Sequence, residues 1–269
     1  MKRAFLCLLG FIFAFSAFCT PILAAEKAYS WYCVHEKEHR RPKVDPSLAF
    51  IEELDGYYIG PDATGEGNKD KVIYLTFDAG YENGNVARVL DILREESVTA
   101  AFFILGHLVE REAALVLRMA QEGHTVCNHT YHHKDMAKTN KETFSKELSS
   151  LDKAYEALTG TPMSSYYRPP EGRFTKENLA WAKEMGYKTV FWSFAYPDWD
   201  NGKQMSAEKA KKIILDNAHN GEIMLLHPTS QTNAAILGDV IRALREEGYR
   251  FGSLDELTEK GSGKEDHLD

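Results

Sequence analysis

Residues 71–96 read KVIYLTFDAGYENGNVARVLDILREE, and this stretch decides the fold class. Residues 72–77 form a short run rich in apolar and aromatic side chains, as in a strand of a sheet covered on both faces. Over residues 86–96 the apolar side chains recur at helical spacing, which indicates an amphipathic helix. The stretch therefore predicts a strand, a glycine-containing loop and a helix, the repeating unit of an α/β fold.

The same unit recurs along the chain. Further short apolar runs predict strands at residues 100–105, 125–128, 166–168, 188–192 and 222–226. Helix-length segments follow them at residues 110–122, 141–158, 176–185, 207–218 and 234–247. Strands that alternate with helices predict a mostly parallel sheet covered by helices, either an open sheet or a β/α barrel. We predict a single catalytic domain over residues 71–258.

Polar residues of catalytic types fall where the predicted strands end. They are Asp78, His129, Arg168, Asp198 and His227. In β/α barrels the catalytic groups lie at the C-terminal ends of the strands, so we expect these side chains to converge on one rim. His129 and His133 are spaced to face the same way on one helical turn, and imidazole is a common ligand of divalent metals. The pair is therefore predicted to bind a metal such as zinc.

We predict that both ends of the chain lie outside this domain. A basic start, an apolar run over residues 4–18 and small residues before Glu26 are typical of a secretory signal peptide, here residues 1–25. An uncleaved membrane anchor is the alternative, although the run is short for a bilayer, and no stable span is expected after cleavage. Residues 26–70 are predicted to wrap around the domain, and residues 259–269 to form a flexible polar tail.

Charge and cysteine content exclude some classes of protein. The formal net charge is −8 and the isoelectric point is near 5.7, which argues against a nucleic-acid-binding protein. Beyond the predicted signal peptide only Cys33 and Cys127 remain, too few for a disulfide framework. The sequence leaves open whether these two cysteines are bonded to each other.

Several ordered motifs carry a family resemblance. They are Thr76-Phe77-Asp78, His129-Thr130-x-x-His133, Arg168-Pro169-Pro170-x-Gly172, Asp198-Trp199 and Leu225-Leu226-His227. Over residues 72–257 the chain resembles the polysaccharide deacetylases, the NodB-homology enzymes of carbohydrate esterase family four. The resemblance implies a distorted β/α barrel. Residues 76–84 and 192–196 look most like the branch that removes the acetyl group of N-acetylmuramic acid in peptidoglycan, a step toward the muramic δ-lactam of spore cortex.

The resemblance implies a role for each residue in hydrolysis of an acetamide. Asp78 would be the general base, held ionised by Arg168, and His227 the general acid, oriented by Asp198. The backbone N–H of Glu171 would stabilise the oxyanion. An apolar wall for the acetyl methyl or the sugar face is expected from three aromatic residues, Tyr166, Trp192 and Trp199.

The chain departs from the family at Ala79, where most members carry the Asp that is the third metal ligand. Alanine has no ligand atom, so metal affinity is expected to be weakened or lost. Three arrangements remain open: a weak two-histidine site, a site completed by His132 or Glu82, and metal-independent chemistry by Asp78 and His227.

The resemblance and the predicted signal peptide together imply a secreted hydrolase of linear amides that acts on peptidoglycan strands in the cell wall or spore cortex. Two alternatives remain: a wall-glycan binding protein that has lost catalysis, and a deacetylase of N-acetylglucosamine polymers. The sequence makes no prediction about the oligomeric state.

Overall fold

The computed structural model describes residues 27–62 and 70–261. The predicted signal peptide and residues 262–269 lie outside this part of the chain. The strands are β1 (Tyr29–Ser30), β2 (Gly56–Tyr57), β3 (Lys71–Ala79), β4 (Ala101–Ile104), β5 (Thr125–Asn128), β6 (Tyr166–Tyr167), β7 (Arg173–Phe174), β8 (Lys188–Val190), β9 (Phe194–Ala195), β10 (Glu222–Leu226) and β11 (Tyr249–Phe251). The helices are α1 (Phe50–Glu53), α2 (Asn85–Glu95), α3 (Gly106–Arg111), α4 (Ala113–Gln121), α5 (Lys141–Thr159), α6 (Lys176–Glu184), α7 (Ala207–Asn217), α8 (Gln231–Glu246) and α9 (Leu254–Gly261).

One parallel sheet organises the molecule. Its strands follow the order β2-β8-β6-β5-β4-β3-β10-β9, and β11 pairs with the first residues of β3. Every recorded pair in this sheet is parallel. The sheet curls but does not close between β2 and β9, so the fold is a half-barrel. The prediction of a distorted β/α barrel is confirmed in this open form.

Alternation along β3 determines which side chains face the site. Ile73, Leu75 and Phe77 are buried in the large apolar cluster that includes residues of α2 and α8. Each such side chain contributes about 1.5–3 kcal/mol through burial. Tyr74 lies in a second cluster on the other face of the sheet. Because successive side chains of a strand point to opposite faces, Asp78 continues the row of Tyr74 at the C-terminal end of β3.

The predicted elements match the structure closely except in one helix. The segment predicted as one helix at residues 110–122 is two helices, α3 and α4, because the backbone of Glu112 leaves helical geometry at φ −128° and ψ 41°. Capping fixes other boundaries. Asn140 caps the start of α5 through a bond from Thr143 N–H, and Gly160 ends it at φ 74°, a conformation that glycine adopts without strain.

The N-terminal segment does more than wrap the domain. β1 pairs antiparallel with β7, and β2 adds an edge strand to the main sheet beside β8. The Arg41 guanidinium donates to the carbonyls of Gly60 and Asn220, at 2.7 and 2.6 Å, and so ties the segment to the turn before β10. The sheet thus begins before residue 71, where the sequence places the start of the domain.

Three further expectations concern the chain termini and the cysteines. Helix α9 continues to Gly261, so the first residues of the predicted flexible tail are helical. Cys33 and Cys127 are both free thiols. Across residues 27–62 and 70–261, none of the helices has the length and apolar character needed to cross a membrane.

Candidate active site

A buried ion pair lies at the C-terminal ends of β3 and β6. Arg168 is fully buried and its Nη1 donates to Asp78 Oδ1 at 2.8 Å. The other guanidinium nitrogens donate to backbone carbonyls, Nε to Val190 at 2.9 Å and Nη2 to Phe191 at 3.0 Å. A planar donor with three fixed acceptors holds one orientation, so Arg168 fixes the Asp78 carboxylate in place.

The charge state of Asp78 follows from its neighbours. Burial alone would raise its pKa, but the charges of His129, Arg168 and His227, with the Arg168 hydrogen bond, hold the pKa below the usual value for aspartate. The carboxylate is therefore ionised at neutral pH. Arg168 occupies Oδ1, which leaves Oδ2 for a reacting proton.

His129 and His133 meet in a loop after β5. The loop is not the helical turn that their spacing suggests, because Thr130 and His133 adopt positive φ angles of 72° and 55°. The two rings nevertheless lie 5.1 Å apart between centroids. His129 Nδ1 lies 2.8 Å from the Arg168 carbonyl, which can only accept, so Nδ1 carries the proton and Nε2 is an acceptor. Burial lowers the pKa of His129 to about 4, so the ring is neutral at pH 7.

A second pair of hydrogen-bonded titratable side chains lies after β9 and β10. His227 Nδ1 donates to Asp198 Oδ1 at 2.7 Å, and the His227 backbone N–H donates to Oδ2 at 2.7 Å. Asn233, near the start of α8, also donates to Oδ2, at 2.6 Å. Burial lowers the pKa of His227, but the hydrogen bond and charge of Asp198 outweigh it, so the pKa is raised. The ring is thus oriented with Nε2 available to donate a proton.

The third part of the site is the Pro170–Gly172 turn. Glu171 adopts φ 55° and ψ 13°, a left-handed conformation that is strained for a residue with a side chain, and Gly172 follows at φ 63°. Gly172 N–H donates to the Pro169 carbonyl at 3.0 Å and closes the turn. Glu171 lines the same cavity as Asp78 and His227.

These groups surround one cavity of about 660 Å³. Its lining residues include Asp78, His129, His133, Glu171, Trp192, Trp199 and His227. Trp192 forms part of the wall. Trp199 is 60% exposed at the rim, with its ring centroid 6.4 Å from that of His227. The structure therefore brings together the predicted residues from separate strand ends.

Tyr166 is an exception, and its predicted place in the cavity wall is wrong. The side chain is 5% exposed and packs in the apolar cluster inside the half-barrel. Its hydroxyl donates to Asp255 Oδ1 at 2.6 Å, on helix α9. The error concerns depth along the strand, because Tyr166 is the first residue of β6, whereas Arg168 follows its last residue and contacts Asp78 at the rim.

The sequence missed several residues of the site. Tyr81, Tyr196 and Thr229 line the cavity, and Asn201 Nδ2 donates to the Tyr81 hydroxyl at 2.6 Å. The only available signal was the position of Tyr81 and Tyr196 next to strand ends. Asn233 belongs to none of the sequence motifs, and only its hydrogen bond to Asp198 shows that it supports the site.

The donor set does not fit a complete three-ligand metal site. His129 and His133 offer two imidazoles, but Ala79 is buried in the apolar cluster and offers no ligand atom. Neither His132 nor Glu82 is among the residues that line the cavity with His129 and His133. Within residues 27–62 and 70–261, no three His, Cys, Asp or Glu side chains come together as metal ligands.

The fold and the site together place the Asp78–Arg168 and His227–Asp198 pairs at the rim of a half-barrel. A family model for polysaccharide deacetylases matches residues 65–190. The chain is 39% identical over 229 residues to the peptidoglycan-N-acetylmuramic acid deacetylase PdaA of Bacillus subtilis, covering 85% of each chain. It is also 35% identical over 196 residues to a peptidoglycan-N-acetylglucosamine deacetylase of Bacillus cereus, covering 71% of this chain and 89% of that one.

Solved structures agree with this assignment. The structure of Bacillus subtilis PdaA, a family 4 carbohydrate esterase, has a TM-score of 0.82 at 38% identity and matches 87% of this chain and 98% of that one. The protein belongs to the polysaccharide deacetylase family, hydrolases that act on N-acetyl amide groups.

Proposed function

We propose that this protein is a secreted peptidoglycan deacetylase that removes the acetyl group of N-acetylmuramic acid, on the way to the muramic δ-lactam of spore cortex. The observation that carries the proposal is the convergence of Asp78–Arg168 and His227–Asp198 on one cavity. The similarity to PdaA supports muramic acid as the sugar. The predicted signal peptide and a glycan substrate outside the membrane support export.

The geometry suggests where the attacking water binds. Asp78 Oδ2 and His129 Nε2 lie 3.5 Å apart, and both are acceptors when His129 is neutral. A water molecule that donates to both would relieve the contact between two lone pairs and lie beside the acetamide carbonyl. Asp78 would take the proton as the water attacks.

Collapse of the intermediate needs two further groups. The oxyanion would be stabilised by the backbone N–H of Glu171, at the turn that faces the cavity. His227 would protonate the departing sugar nitrogen, since Asp198 keeps its pKa high and its ring oriented. The product is acetate and a free amino sugar. Trp192 and Trp199 would contact the acetyl methyl and the sugar face.

No step of this mechanism passes through a metal, because the described residues do not complete a metal site. A two-histidine centre would bind a divalent ion weakly and need oxygen ligands from water or substrate. The alternative substrate is an N-acetylglucosamine polymer, which the similarity to the Bacillus cereus enzyme favours. A binding protein without catalysis would have no use for both the Asp78–Arg168 pair and the His227–Asp198 pair in one cavity.

Acetate release tests the proposal directly. Purified peptidoglycan, the same glycan stripped of stem peptides, and an N-acetylglucosamine polymer would each be incubated with metal-free protein and again with added zinc or manganese. We expect release from the muramic substrates without added metal. Release only with metal would assign a working centre to His129 and His133. Release only from the glucosamine polymer would overturn the substrate, and no release under any condition would favour the binding protein.

The pH dependence of the reaction should report on Asp198. Asp198→Asn removes the charge that raises the pKa of His227, so that pKa should fall. A general acid acts when protonated, and activity is lost as the pH rises through its pKa. The alkaline limb of the kcat/KM profile should therefore move to lower pH, while the acidic limb stays in place. Asp200→Asn, at an exposed carboxylate on the same loop, is the control, and an unmoved alkaline limb in Asp198→Asn would remove His227 from the role of acid.

A further inference from the structure

Trp31, on the N-terminal segment, lies directly behind the active-site turn. It is 5% exposed, far from the catalytic motifs in sequence, and its backbone N–H donates to the Gly172 carbonyl at 2.8 Å. The preceding residues pair with the strand that leaves the turn, Ser30 with Arg173 and Tyr29 with Phe174. The N-terminal segment therefore holds the C-terminal side of the turn through its backbone.

The Trp31 side chain holds a second part of the site. Its indole N–H donates to the Trp192 carbonyl at 2.8 Å, and its ring lies 4.9 Å from the Phe191 ring between centroids. The Phe191 carbonyl accepts from Arg168, and the Trp192 ring lies 5.7 Å from the Arg168 guanidinium carbon. The Trp31 side chain thus contacts the Phe191–Trp192 segment, and this segment orients the Arg168 guanidinium that pairs with Asp78.

Packing around Gly172 shows how closely these parts fit. A Cβ atom at Gly172 would lie 2.7 Å from the Trp192 ring and 3.1 Å from Trp31 Cβ. Glu171, the residue before it, keeps its left-handed backbone although it carries a side chain. Such a conformation persists only where the surroundings determine it. The restraints around this turn include two backbone bonds of its own, from Gly172 N–H to Pro169 and from Arg173 N–H to Pro170, the Arg173–Asp135 ion pair, and the contacts to Trp31 and Trp192.

We propose that Trp31 is a positioning residue for catalysis, which acts by fixing the Glu171 turn and the Phe191–Trp192 segment together. It touches no reacting atom. The proposal rests on the proposed function in one respect, the use of the Glu171 amide as oxyanion donor. It extends that function by assigning a catalytic contribution to a segment that precedes the deacetylase motifs.

The test replaces Trp31 by phenylalanine in the full chain. Trp31→Phe keeps an aromatic ring against Phe191 but removes the indole donor to the Trp192 carbonyl. The matched control is Tyr58→Phe. The Tyr58 ring packs 5.1 Å from Trp31, and its hydroxyl bonds only Glu52 among the recorded hydrogen bonds of the described residues, so this change removes a bond from the same cluster without touching the turn.

Two measurements separate positioning from folding. Steady-state kinetics per folded molecule should show kcat lowered about 10- to 100-fold in Trp31→Phe, with KM within about twofold, because small misplacements of catalytic groups cost rate more than binding. Hydrogen exchange followed by mass spectrometry should show faster exchange of the Glu171 and Gly172 amides. Tyr58→Phe should leave both quantities at wild-type values.

Each outcome decides a separate claim. Unchanged kcat per folded molecule, or unchanged exchange at residues 171–172, would overturn the positioning role. An equal fall in kcat in Tyr58→Phe would also overturn it, since general loosening of the cluster would then suffice. If the wild-type protein releases no acetate from any glycan, the proposed function fails, and the exchange data alone decide whether Trp31 fixes the turn.

Discussion

Asp78→Asn is expected to lower kcat for acetate release by about 10²–10⁴-fold, the usual contribution of a general base. The amide keeps an oxygen that can accept from Arg168 but cannot take a proton from water at neutral pH. Binding of the glycan should be little affected, because the size and shape of the side chain hardly change. Initial rates and KM on the muramic substrate, with circular dichroism to confirm folding, provide the measurement.

A matched control distinguishes loss of the base from loss of an ion pair. Asp91 of α2 accepts from Arg118 at 2.8 Å outside the cavity, so Asp91→Asn breaks an aspartate–arginine pair without removing a lining residue. It should retain full activity. Substantial activity in Asp78→Asn would transfer the role of base to another group and remove the central assignment.

The second large effect is expected from Arg168→Met, in stability as well as in rate. Methionine leaves the Asp78 carboxylate without its partner and two carbonyls without their donor, while Arg168 itself is fully buried. Removing one partner of a buried pair costs about 3–5 kcal/mol. Urea unfolding at pH 7 should show a loss of this size in the free energy of unfolding.

The same variant should change the pH profile in a defined direction. Without Arg168 the pKa of Asp78 rises, and because a base acts when ionised, the acidic limb of kcat/KM should move to higher pH. The double variant Asp78→Asn/Arg168→Met should lose less stability than the sum of the single variants, since neither change then leaves an unpaired charge. Additive losses would show that the two residues are not coupled.

The sequence predicted the parts of the fold that rest on periodicity and strand ends. The range of β10 matches the prediction, and Asp78, Arg168 and His227 converge because parallel strands end at one edge of the sheet. The meeting of His129 and His133 was also correct. The helical turn that was expected to bring them together was wrong. Positive φ angles at Thr130 and His133 replace it, and spacing alone does not reveal backbone angles.

Other features of the structure could not be predicted from the sequence. β1 and β2 have two residues each, too few to show any period, so the pairing of the N-terminal segment was not predictable. Tyr166 was misplaced because a two-residue strand does not show in the sequence how far below the rim each residue lies. The contact of Asn233 with Asp198 depends on packing of α8, which only three-dimensional structure provides.

The pairing of β3 with β10 also joins two parts of the site that lie far apart in sequence. Leu226 of β10 is the partner of Phe77 of β3, although β4 to β9 lie between them in the chain. Asp78 and His227 therefore meet only after a contact of long sequence separation has formed, which is a slow step in folding. We expect a partly folded chain without this pairing to lack an assembled site.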